Sequence, residues 1–71
     1  TAKETRERRA AIRRLENELK TAEEQAARAR LALEDPAIAT DPGELAERHK
    51  KLEAALAKVE ELFDRWSRLH D

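Results

Sequence analysis

Apolar residues in the first half of the chain fall at Ile12, Leu15, Leu19, Ala22, Ala26, Ala29 and Leu33, in alternating steps of three and four. That spacing places them on one stripe of a helix. In the second half Leu45, His49, Leu52, Leu56, Val59, Phe63 and Trp66 alternate in the same way. The pattern predicts a helix over about residues 2–34 and a second over about 42–70, joined by a tip at 35–41. Asp35-Pro36 stops the first helix, because the residue before a proline avoids the helical region. Asp41 supplies an N-cap for the second, with Pro42 at the first helical position and Glu44 three residues after the cap. Folded back at the tip, the seams pair so that position numbers sum to 78: Leu33 with Leu45, Ala29 with His49, Ala26 with Leu52, Ala22 with Leu56, Leu19 with Val59, Leu15 with Phe63, and Ile12 with Trp66. Small faces large in the middle layers, as dense packing requires. Ile38 caps the last layer. The expected fold is all-α, an antiparallel two-helix coiled-coil hairpin with a Pro-containing tip, making a single domain over residues 1–71.

Beside this seam lies a second apolar edge of Ala11, Ala32, Ala55, Leu62 and Leu69, opposite an acidic one of Glu16, Glu23, Glu53 and Glu60. Leu62 and Leu69 either widen the core, since core-facing helices commonly use a third heptad position, or form a protein interface for a second copy or another domain.

Composition adds little that contradicts a rod. Charged residues make up 44% of the chain and aromatics 3%, with one glycine. High charge also marks disordered chains, but unbroken heptads argue for a coiled coil. There is no cysteine, which suits a reducing compartment, and no apolar run approaches a membrane span or signal peptide. The chain begins at Thr1 rather than Met, as expected of a piece of a longer protein.

Charge distribution changes the picture more. The net charge is -1, yet residues 1–14 carry Lys3, Arg6, Arg8, Arg9, Arg13 and Arg14 against Glu4 and Glu7, a local balance of +4. Arg65 and Arg68 return near the other terminus, so a hairpin brings both basic segments to its open base. Arginine forks match phosphate oxygens and can hold a nucleic-acid backbone without reading its sequence; an ordinary solvated helix end is the alternative. Phe63 and Trp66 would suit base stacking, but their seam positions assign them to core layers at the base.

No catalytic constellation is present. A phosphate-cradling loop needs several glycines, and Gly43 is alone. Ser67 lies three residues from His70 with no orienting acid or oxyanion hole. His49 and His70 are too few for a metal site, and His49 reads as a packed or partly wet core histidine.

Asp35-Pro36, Asp41-Pro42-Gly43-Glu44-Leu45 and the ending Leu62-Phe63-Asp64-Arg65-Trp66-Ser67-Arg68-Leu69 resemble the C-terminal coiled-coil domain of Uup-type ABC-F ATPases. The resemblance covers roughly Ile12 to Leu69; residues 1–11 depart from it, reading Ala2-Lys3-Glu4-Thr5-Arg6 where members often carry a serine-aromatic-lysine stretch. It implies a cytoplasmic parent with two ATP-binding cassettes and no membrane domain, associated with the translating ribosome. ATP and Mg would belong to those cassettes, leaving this chain without a cofactor. It also implies a DNA-binding role for the hairpin, with ribosomal RNA as the other candidate ligand. Phe63 and Trp66 match the family's packing aromatics, and Arg65 and Arg68 its basic ending. The leading expectation is therefore a non-catalytic accessory domain whose Lys3, Arg6, Arg9, Arg13, Arg14, Arg65 and Arg68 contact phosphates. The alternatives are an interaction module that dimerises through Leu62 and Leu69, and the coiled-coil arm of an aminoacyl-tRNA synthetase such as the valyl enzyme.

Overall fold

The computed structural model describes residues 1–70. Helix α1 spans Ala2–Ala32 and helix α2 spans Pro42–His70, with a 3-10 turn at Pro36–Ile38 between them. They fold back on each other as a rod 59 Å long and 14 by 13 Å across. The all-α hairpin with a Pro-containing tip is the fold that the heptads predict.

The ends of the helices follow from local chemistry. Thr1 caps α1 by accepting the Glu4 N–H on its hydroxyl, while the Glu4 carboxylate accepts from the Thr1 amine, a reciprocal capping box. At the other end α1 closes two residues earlier than expected. The Leu33 and Glu34 N–H groups reach back to Arg30 and Leu31, tightening the last turn. Asp35, extended at φ -62 and ψ 116, leads into Pro36, and its carboxylate accepts the Ala37 N–H at 2.9 Å. Asp41 caps α2 as expected, accepting the Glu44 N–H at 3.1 Å. Ile38 is buried at the tip.

The seam of α1 is as read: Ala22 and Ala26 are buried, with Ile12, Leu15, Leu19, Ala29 and Leu33 half-buried. The seam of α2 is not. Its protected positions are Leu45, Arg48, Leu52, Ala55, Val59, Leu62, Trp66 and Leu69. Relative to the expected stripe the helix is rotated by one position at every second layer. His49, Leu56 and Phe63 face solvent, so their expected layers with Ala29, Ala22 and Leu15 do not form. Leu62 is instead the most deeply buried side chain, 1% exposed, and Leu69 is half-buried beside it. Of the two readings of this edge, Leu62 and Leu69 follow the one in which they widen the core rather than form a protein interface.

Two physical features favour the rotated seam. Alanines on a seam let two helices approach closely, and Ala55 and Leu62 suit the alanine stretch of α1 with less bulk than Leu56 and a phenylalanine ring. Rotation also brings Arg48 to the end of α1, where helix carbonyls lack intrahelical donors. Its Nη1 donates to the Ala32 carbonyl at 2.6 Å and to Asp35 Oδ2 at 3.3 Å, while Nε donates to Glu44 Oε1 at 3.0 Å. A histidine ring at that layer has too few donors for this task.

The Asp35 carboxyl is held below its usual value of 3.8, first by the Ala37 N–H and then, against some desolvation, by the Arg48 guanidinium. Because the folded-state value is the lower one, Asp35 stabilises the fold above the unfolded pKa, and that contribution is lost as pH falls through the folded pKa. Asp35→Asn should therefore flatten the decline of melting temperature on acidification below about pH 4. An unaltered acid limb in the variant would show that the tip pair is not linked to stability.

Candidate functional site

The start of α1 and the end of α2 meet at the open base. Arg8 Nε donates to the Leu69 carbonyl at 3.1 Å, so an arginine one heptad before Leu15 serves as a further layer. Trp66, half-buried, donates its indole N–H to Glu16 Oε2 at 3.3 Å. Its ring lies between Phe63, with centroids 5.6 Å apart, and His70, at 4.5 Å. Trp66 keeps its expected place on the seam, whereas Phe63 is 51% exposed and His49 and His70 are exposed, which corrects the expectation of a core phenylalanine and of a core histidine.

The basic residues divide into two groups. At 100° per residue, Lys3, Arg6, Arg9, Arg13 and Arg14 fall within an arc of roughly 140° on the outward side of α1, opposite its seam. All five are exposed, and among the described residues none has a carboxylate within 4.0 Å. Arg65 and Arg68 lie on α2 instead. Arg65 faces the flank where Glu18, Gln25 and Lys58 line a shallow groove, and its guanidinium donates to Glu61 at 2.6 Å. The hairpin thus gathers five of the seven expected cations on one helix face and sets Arg65 apart in an ion pair.

Sequence reasoning missed Arg8 and Arg48. Both sit at seam spacing, Arg8 four residues before Ile12 and Arg48 three after Leu45. A lone arginine on an otherwise apolar stripe is the signal: half-buried Arg48 needs acceptors for its head, and exposed Arg8 can reach a carbonyl across the seam.

Gly43 is the single glycine, and the described residues contain no group of three His, Cys, Asp or Glu placed to hold an ion. No helix among them is long and apolar enough to cross a membrane. None of the curated proteins and none of the solved structures gives a significant match to the chain. A family model described as the ABC transporter C-terminal domain does, over residues 3–71. With nearly the whole length matched, and a two-helix rod rather than a catalytic body as its fold, this chain belongs to the ABC transporter C-terminal domain family.

Proposed function

We propose that this hairpin, an accessory domain of an ABC-type protein, is a non-catalytic nucleic-acid-binding arm of a Uup-like ABC-F ATPase. The observation that carries the reading is the outward face of α1. Five exposed cations on one broad face, none with an acid partner among the described residues, form an electrostatic track suited to phosphates spaced along a backbone. The proline-flanked tip and the Phe63-Asp64-Arg65-Trp66 ending support the Uup-like parent. The family match favours this reading over a synthetase arm. Lys3, Arg6, Arg9, Arg13 and Arg14 make the principal contacts, with Arg68 contributing from α2 and Arg65 only when released from Glu61. ATP hydrolysis belongs to cassettes elsewhere in a cytoplasmic parent, and DNA or ribosomal RNA is the ligand.

The test is a salt-titrated fluorescence-anisotropy series with duplex DNA, single-stranded DNA and a structured RNA. Arg9→Gln with Arg13→Gln should weaken binding by about tenfold at low salt, similarly for all sequences, and reduce the log–log salt slope by about two. The preferred ligand separates DNA from RNA duty. Unchanged affinity after both substitutions refutes the mapping.

A further inference from the structure

The proposed phosphate track leaves one feature of α2 unused. Leu56 and Phe63, 42% and 51% exposed, lie two turns apart on one line, beside half-buried Leu52, Val59 and Trp66. Together they make an apolar strip about 21 Å long. Single exposed apolar residues are ordinary, whereas a continuous strip marks an interaction surface. Its borders are acidic. Glu53 and Glu60 lie three and four residues from Leu56 and are its neighbours on the helix surface. From α1, Glu16 reaches the Trp66 indole, and Glu23 stands two turns further along the same face. Among the described residues none of these four carboxylates has a cation within 4.0 Å.

Unneutralised acids around an apolar strip select the occupant. A second copy docked on the same strip would bring like charges together, which opposes association. A nucleic acid stacking on Phe63 would set its phosphates against the same glutamates. A chain carrying apolar residues on one face and positive charge beside them satisfies both features. We propose that the strip docks a basic amphipathic α-helix of a separate polypeptide, its apolar face on Leu56 and Phe63 and its lysines or arginines on Glu16, Glu23, Glu53 and Glu60. This is helix-in-groove recognition, with apolar anchors for affinity and charge for selection. Arg9 and Arg30 continue the line of Glu16 and Glu23 at either end. The acidic window is therefore closed on both sides, and the basic stretch it accepts is short, about three helical turns.

The probe is a short fluorescein-labelled amphipathic helix built of leucine and lysine, with a scrambled peptide of the same composition that has no apolar face. Binding should strengthen as salt is lowered and favour the amphipathic peptide. Leu56→Ser with Phe63→Ser, and separately Glu53→Gln with Glu60→Gln, should each weaken it by about tenfold or more. Circular dichroism confirms that each variant keeps its helices. Arg6→Gln with Arg13→Gln, which lie on the outward face of α1 away from the Glu16–Glu23 line, should leave peptide binding intact, so the two surfaces succeed or fail independently. Equal affinity for the scrambled peptide, or an unchanged affinity in the Leu56/Phe63 variant, overturns the proposal. So does sedimentation that shows a dimer dissolved by those two serines, which would seat a second copy on the strip. A single-stranded oligonucleotide whose binding depends on Phe63 would overturn it in favour of base stacking.

Discussion

Leu62→Ala is expected to unfold much of the hairpin at physiological temperature, whereas Phe63→Ala, one residue along, should leave its melting curve almost unchanged. Leu62 is 1% exposed in the centre of the α2 seam. Truncating a buried leucine removes its transfer free energy and leaves a cavity, at a cost of about 2–5 kcal/mol. A chain this short rarely has more than about 3–5 kcal/mol of stability to lose. Phe63 keeps about half its surface in water and meets Trp66 in a tilted pair with centroids 5.6 Å apart, so its truncation should cost less than about 1 kcal/mol. Thermal melts followed by circular dichroism read both. If Phe63→Ala proved the more damaging change, α2 would present its other stripe to α1.

Ala26→Leu should be the next most damaging single change. Ala22 and Ala26 are buried in the seam between the two helices, and a two-helix rod has no third element to move aside. Extra methylenes there force off-rotamer side chains or spread the helices, costing about 1–3 kcal/mol. Ala27→Leu, an exposed neighbour, makes the same chemical change outside the seam and should be close to neutral. A stabilised Ala26→Leu variant would mean that the close approach of the helices is slack rather than packed.

The contrast between these sites explains which parts of the fold were legible in the sequence. Helix α1 has one apolar stripe, and its seam could be read residue by residue. Helix α2 has two, which share Leu45, Leu52, Val59 and Trp66 and differ only in whether Arg48, Ala55, Leu62 and Leu69 or His49, Leu56, Phe63 and His70 complete them. Bulk favours the second stripe within α2 alone, and Arg48 counts against the first. What decides for the first is a property of the pair: the alanines across the seam and the Ala32 carbonyl that needs a donor. Both the tip and its caps were readable because Asp35-Pro36 and Asp41-Pro42 act within a few residues of themselves. At the base, the spacing of Arg6, Arg9 and Arg13 was enough to place them on one face. The engagement of Arg65 with Glu61 depends on side-chain choice among several neighbouring charges, which spacing alone does not fix.

Arg48 ties the first turns of α2 to the last carbonyl of α1, and among the described residues no backbone position has a positive φ. That bond braces the tip across the turn. At the opposite end Arg8 ties α1 to the Leu69 carbonyl, so both ends of the pair are cross-braced. Such a rod turns as one lever. Over its 59 Å length, a rotation of about ten degrees at the base sweeps the tip through roughly 10 Å. Small angular changes where the arm is mounted therefore become large displacements at its far end, while the faces along its length keep their spacing.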